Sequence, residues 1–463
     1  MARPLRVSRS APPATPLGFW QKAVYGFGDM IIAIRMTAFQ YYLLPLYTDV
    51  VMLPPLLAGV GKMLGFLWDG VNDPVSGYLS DRTRSRLGRR RPFLLGTAVP
   101  LGIAFGCLWS PPPSLGTRAG FVFMVLALMI YDTFYSLYST PYMALGAELS
   151  RDYHERTKIS ASRSFFHVVG LLLGGVVPGA VLAGYPDAPA TGFAVAGVGL
   201  GAFMIVVALT TGAFIREVPP PEALKRRSLG AFVDGLRVTL RNRPFRILIS
   251  TFAFILLAGG LSQTLVPYAF TYWLGMPSAT SKVILVYLTA SVLSLPLWTR
   301  LAGRFGKDVA LKLCMAWATL VLLSLPFALA PGMGRPRLVA FLLLAGLGNG
   351  GWAVLPVAIT ADIVDHDELD TDERREGAYF GVWTLVMKLS TALSSGIVGL
   401  ALQLLGYVPN QPQTATTIFG IRMLYGPVPA ACMVAALVLF WHFPLTRERH
   451  RAVQEALAAR RRE

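Results

Sequence analysis

Two carboxylates four residues apart in an apolar stretch are the most chemically loaded feature of this chain: Leu67-Trp68-Asp69-Gly70-Val71-Asn72-Asp73-Pro74. Positions i and i+4 share a helix face, so Asp69 and Asp73 stand about one turn apart, with Asn72 near the same face. Two carboxylates and an amide offer hard oxygen ligands to a small cation, with Asp69 and Asp73 as the metal ligands if that cation is Na⁺. Ionised and empty, the two acids repel each other. Binding Na⁺ or a proton relieves the repulsion, and the energy relieved can drive a conformational change. An ion pair to a neighbouring helix is the structural alternative. Gly70 and Pro74 weaken the helix and free backbone carbonyls, which favours the ligand reading.

Other charges lie where lipid tolerates them poorly, and each is a site candidate for that reason. Lys388, in Leu385-Val386-Met387-Lys388-Leu389-Ser390, needs a carboxylate partner, and Asp69 and Asp73 are the natural ones. An ion entering that cluster would compete with it, which makes Lys388 a coupling residue. Asp29 and Arg35 sit among Tyr25, Phe27, Phe39, Tyr41 and Tyr42. Asp132 and Arg163 occupy later apolar stretches, as do Trp352, Tyr379 and Trp383. Aromatic faces with a few charges suit a polar, partly apolar solute, so Asp29, Arg35, Tyr41, Asp132, Arg163, Trp352, Tyr379 and Trp383 are candidate substrate contacts. Helix packing with internal ion pairs explains the same residues. Asp81, Arg89 and Arg90, in the basic loop after the acids, could latch one side shut. The acidic run Asp365, Asp367, Glu368, Asp370, Asp372 and Glu373 could pair with basic loops of the other half.

The elements that hold these residues follow from composition. Of the 463 residues 54% are hydrophobic and only 14% are charged, where a soluble chain carries roughly a quarter. Apolar runs long enough to cross a ~30 Å hydrocarbon core recur throughout. They predict twelve spans at 22–47, 54–80, 92–112, 118–149, 159–184, 192–215, 245–273, 280–301, 309–331, 336–364, 377–405 and 419–443. Of the 42 Lys and Arg residues, 33 fall in alternate segments and four in the opposing loops; Arg35, Lys62, Arg163, Lys388 and Arg422 lie within spans. That bias places both termini in the cytoplasm. It also explains the net charge of +17 through lipid headgroups, with no nucleic-acid partner.

The expected architecture is an all-α membrane protein: a flexible tail at 1–17, a six-helix bundle at 18–215, a Pro-rich, basic linker at 216–244, a second six-helix bundle at 245–443 and a basic tail at 444–463. A short repeat, Pro141-Tyr-Met-Ala-Leu-Gly-Ala-Glu148 against Pro356-Val-Ala-Ile-Thr-Ala-Asp362, agrees with duplication, as transporters often show. Cys107, Cys314 and Cys432 lie inside apolar stretches without metal spacing. No phosphate-cradling loop or catalytic triad is present, so neither an enzyme nor an ATP-driven pump is expected, and no cofactor beyond a coupling ion. The residues thus predict a monomeric secondary transporter of the bacterial-type inner membrane, with a small-molecule substrate and the lipid bilayer as its partners.

The Trp68–Pro74 stretch, followed by Gly77, Asp81 and Leu87-Gly88-Arg89-Arg90-Arg91-Pro92, resembles the glycoside–pentoside–hexuronide:cation symporters of the major facilitator superfamily. Tyr25-Gly26-Phe27-Gly28, Tyr47-Thr48-Asp49-Val50, Ala361-Asp362-Ile363-Val364-Asp365 and Met387-Lys388 extend the likeness along nearly the whole chain. The resemblance implies the major facilitator fold and cation-coupled symport of a sugar or glycoside. It puts the cation at Asp69 and Asp73, Lys388 near it, and Arg163 near the substrate. The two sugar-binding acids of melibiose-type carriers correspond to Ala33 and Ser139, and the sugar-stacking tryptophan to Met143. Related sodium-coupled lysolipid symporters of animals also carry an acid at the position of Asp132. A lysophospholipid or another amphiphile is therefore the rival substrate.

Overall fold

The computed structural model describes residues 17–113, 115–150, 152–215, 217, 238–371, 373 and 375–460. The expected first tail up to residue 16, most of the linker and Asp372 lie outside the described residues. Every regular element described is helical. The first half holds α1 (Phe19–Gly28), α2 (Met30–Ala38), α3 (Pro55–Arg82), α4 (Arg91–Trp109), α5 (Thr117–Glu148), α6 (Tyr153–Ala183) and α7 (Pro189–Phe214). The second holds α8 (Arg243–Tyr268), α9 (Thr280–Phe305), α10 (Lys307–Ala328), α11 (Arg335–Thr371), α12 (Glu376–Leu404), α13 (Ala415–Tyr425) and α14 (Pro427–Trp441), and α15 (Arg447–Arg460) follows.

Ten helical segments among the described residues are long and apolar enough to cross a membrane. They coincide with the third to the twelfth expected spans. The first two expected spans are also helical, but they carry charges: Lys22, Asp29 and Arg35 in one, Lys62, Asp69 and Asp73 in the other. α3, at 28 residues, extends roughly 42 Å.

The first expected span is broken rather than continuous. α1 stops at Asp29, α2 resumes, and two π-helical turns follow at Phe39–Leu43 and Leu46–Val50. A π turn rotates the residues after it relative to an α-helix, and such turns often mark functional positions. α8 likewise ends in a π turn, Ala269–Trp273. α6 starts earlier than hydropathy indicates because Asp152 caps it: its carboxylate accepts the Glu155 N–H at 2.8 Å. α11 runs past the expected end at 364 because the acidic stretch continues the helix to Thr371.

Packing reveals the duplication more clearly than the sequence does. In the first half α4 packs on α7, α3 on α5 and α2 on α6; in the second α10 packs on α14, α9 on α11 and α8 on α12. These are the same pairings displaced by six expected spans. The halves meet through α3 with α12 and α6 with α9, which the same displacement interchanges.

Away from the basic loops the halves are in close contact. A Cβ on Gly59 would lie 2.8 Å from the Ser395 carbonyl oxygen and 2.9 Å from the Gly399 Cα, so the backbones of α3 and α12 touch there. Gln40 donates to the Gly260 carbonyl at 3.0 Å and the Thr264 hydroxyl at 2.8 Å. At the end of the first span Asp49 accepts from Tyr407 at 2.7 Å and Tyr272 at 3.0 Å, and its carbonyl accepts from Asn410 at 2.6 Å. Thr48 and Tyr268 share a 2.7 Å hydrogen bond. Burial, and secondarily the Asp49 carboxylate, push the Tyr407 phenol far up, so it remains a donor.

A side chain at the α3–α12 contact has no space. Gly59→Val is therefore expected to cost this closed arrangement about 1–3 kcal/mol and to raise thiol labelling of a cysteine placed at Val398, which is fully buried beside this contact. Unchanged labelling would refute the reading of this contact as the seal.

Candidate functional site: a charge cluster between the halves

Asp69 and Asp73 project from the inner face of α3, and helical spacing brings them to the same neighbours. Pro74 denies the Gly70 carbonyl its usual donor. Gly70 leaves room for the stem of Lys388, whose Cδ would lie 3.9 Å from a Cβ there. Lys388 reaches across from α12 in the other half. Its ammonium lies 2.6 Å from Asp73 Oδ2 and 3.0 Å from Asp69 Oδ2, and it donates to the Asp69 carbonyl at 3.0 Å.

Arg35 of α2 completes the cluster from the opposite side. Its guanidinium meets Asp132 of α5 at 2.6 Å and Asp69 at 3.2 Å, and lies 4.2 Å from the Tyr135 ring centroid. Ser136 donates to Asp69 Oδ1 at 3.0 Å and Thr140 to Asp73 at 3.4 Å. The Asp69 and Asp132 side chains are each 1% exposed and that of Asp73 is 29% exposed, so Asp73 is the watered mouth of the cluster. Asp132 Oδ2 is buried and meets no hydrogen-bond donor. Three carboxylates face two cations, which leaves one negative charge uncompensated when all are ionised. A dry environment penalises that state, and one monovalent cation or one proton removes it.

The other sequence candidates are placed differently. Asn72 turns away from the acids and donates to Thr133 at 3.3 Å. Arg35 and Asp132, expected at the solute, belong to the cluster. Asp29 is buried beside His167, 2.6 Å away, with Arg163 Nε at 3.9 Å. Arg163 also contacts Met143 at 3.4 Å and is partly exposed. Tyr41 and Trp352 line an apolar cavity of about 110 Å³, walled mainly by the second half, together with Val266, Leu322, Phe341 and Asn349. Tyr379 and Trp383 reach neither cluster nor cavity: Tyr379 packs edge-on against Phe245 and Trp383 stacks on Phe252 at 3.7 Å. The bulk of these rings is absorbed by the core of the second half.

The expected latch residues pair within one half. Asp81 bonds Arg90 at 2.6 Å, and Glu148 holds both Arg89, at 2.6 Å, and Arg90, at 3.1 Å. Glu217 accepts the backbone N–H groups of Arg89 and Arg90. Among the described residues of the acidic run, Asp365 lies near His450 and Glu373 meets Arg375, both within the second half, and Lys307 meets Asp362 just before the run at 2.6 Å. Sequence reading missed Ser136, Thr140 and His167, whose types carry no signal until neighbouring helices are placed. It also missed the polar seal at Asp49, and it counted Lys62 without giving it a role.

Comparison with known proteins agrees with this architecture. The family model described as MFS/sugar transport protein matches residues 24–447. An uncharacterised symporter of Synechocystis is 28% identical, with 96% of this chain and 98% of the relative covered. The sodium-dependent lysophosphatidylcholine symporter 1-A of Danio rerio is 24% identical over 94% of this chain and 87% of its own length. A crystal structure of the nucleoside transporter NupG superposes with a TM-score of 0.66 at 13% identity, covering 92% of this chain and 99% of that one, which is a likeness of fold alone. With its helical spans, its paired halves and a family match over most of its length, the chain belongs to the MFS/sugar transport protein family of multi-pass membrane transporters.

Proposed function

We propose that this protein is a secondary symporter in which Na⁺ or H⁺, bound among Asp69, Asp73 and Asp132, drives an organic solute across the membrane by alternating access. The observation that carries the reading is the uncompensated negative charge of a buried cluster built from both halves. Lys388 ties α12 to the acids of α3. A cation arriving from the Asp73 side competes with that ammonium for the same oxygens and weakens the tie between the halves. The same competition makes ion binding and rocking of the halves one event. The bundles at 18–215 and 245–443, joined by the 216–244 linker, are the bodies proposed to rock.

Two solute classes fit the sequence, and one observation divides them. A sugar requires several polar groups around its hydroxyls, and the positions of the sugar-binding acids in melibiose-type carriers hold Ala33 and Ser139. The cavity beside Tyr41 is largely apolar, with Ser262, Gln263 and Asn349 as isolated polar points. That lining favours an amphiphile with a hydrocarbon chain, such as a lysophospholipid, over a glycoside. The name of the Danio rerio relative agrees with this choice, while the family description agrees with the glycoside.

Asp73→Cys is expected to abolish cation-driven uptake in proteoliposomes while the protein still reaches the membrane. Uptake at the wild-type rate under both sodium and proton gradients would refute the assignment. For the solute, Ala345→Trp fills the cavity wall and is expected to lower lysophospholipid uptake at least tenfold without altering Na⁺ binding. Normal lysophospholipid uptake by this variant, or stabilisation of the wild type by glycosides alone in a thermal-shift screen, would exclude the amphiphile.

A further inference from the structure

Lys62 is fully buried in α3, and its ammonium nitrogen meets no hydrogen-bond acceptor among the described residues. It precedes Asp69 by seven residues and Asp73 by eleven. At 100° per residue these offsets return to within about 20° of one direction, so Lys62, Asp69 and Asp73 form a file along the inner face of α3. The glycines flanking the file show what it faces. Gly59 abuts α12 at Ser395 and Gly399, and a Cβ on Gly65 would lie 3.4 Å from Asp132 Oδ2 on α5. That oxygen is itself without a donor. Two unpartnered atoms of opposite formal charge thus border one strip of α3, on the sealed side of the ion cluster.

The charged and titratable groups around the file are Asp69 and Asp73 on α3 itself, Arg35 on α2, Asp132, Tyr131 and Tyr135 on α5, Lys388 on α12, and Asp49 at the end of the first span. Arg35 and Lys388 are committed to the carboxylates, and Asp49 to the tyrosines of the seal. Lys62 alone among the lysines and arginines of this set has no partner, and its charge equals the one the three-acid cluster lacks.

We infer that Lys62 is the charge against which the coupling cation is exchanged. With Lys62 protonated the inner face of α3 is neutral overall; when Na⁺ enters among the acids, the Nζ–H bond breaks, its electron pair stays on nitrogen, and the proton passes to water. This inference rests on the proposed cation site, which it deepens by making ion and proton antagonists. The rise per residue places Lys62 roughly 10 Å along the axis from Asp69. At an effective dielectric of about 20, unit charges at that range change ion affinity on the order of tenfold.

The test titrates the purified full-length chain with NaCl between pH 6 and 8, following tryptophan fluorescence and, in weak buffer, proton release with an indicator dye. Wild type is expected to release up to about half a proton per Na⁺ bound, the most that a tenfold coupling allows, and to bind Na⁺ more tightly as pH rises. Lys62→Met is expected to bind more tightly than wild type at pH 7 with proton release lost, and Lys62→Arg, which keeps its charge, to bind more weakly, the two variants differing by about tenfold. Lys62→Gln supplies the same two readings if the Met variant does not reach the membrane. Wild-type affinity and proton release in the uncharged variants would overturn the inference while leaving the cation site intact, provided Asp73→Cys still abolishes binding. No Na⁺ response in wild type overturns it as well, and transport by Asp73→Cys under both gradients would then show that the cation reading itself had failed.

Discussion

A charge held away from water must be matched, and most of what is distinctive in this protein follows from how that match is made. Asp69, Asp73 and Asp132 sit in a membrane-spanning bundle, where each unpaired carboxylate would cost several kcal/mol. Arg35 and Lys388 remove most of that cost. They come from different halves, so the electrostatics of the cluster and the relative position of the halves are one variable. A cluster with equal numbers of acids and bases would be a static strut. One acid in excess leaves a negative charge that a single monovalent cation or proton would offset.

The seal away from the basic loops has a different character. It joins a close backbone contact at Gly59 and Gly399 to hydrogen bonds at Gln40, Thr48 and Asp49. Each hydrogen bond contributes only about 1 kcal/mol net, because water replaces it when the contact opens. A seal of this kind is specific in register yet cheap to break. A large apolar contact would hold more firmly and would expose hydrocarbon to water on opening. The ion pairs at the other face, around Arg90, Glu148 and Asp362, stay inside single halves and so keep each half rigid while the interface between them changes.

The first span connects these parts. It carries Arg35 in the ion cluster, Gln40 across the midline, Tyr41 in the wall of the apolar cavity and Asp49 in the seal. The interruption at Asp29 and the π turns from Phe39 onward let one helix present these groups to different neighbours. In a regular α-helix Arg35, Gln40 and Asp49 would follow a fixed 100° step, and each π turn shifts the residues after it off that step. This span thus ties the charge cluster, the apolar cavity and the contact between the halves to one helix.

What the residues determined alone is whatever depends on local, additive properties. Hydropathy located ten of the membrane helices because burial in lipid sums along a segment, and helical period put Asp69 and Asp73 on one face because both belong to one helix. Lys388 was recognisable as needing an acid because its cost arises from depth. Tertiary structure decided the partners. Arg35 and Asp132 joined the acids of α3, Asn72 turned to Thr133, Trp383 became packing against Phe252, and the latch arginines paired within their own half. These outcomes depend on how each helix is rotated against its neighbours. Many weak contacts between residues distant in the chain set that rotation, and no spacing within a single span encodes it.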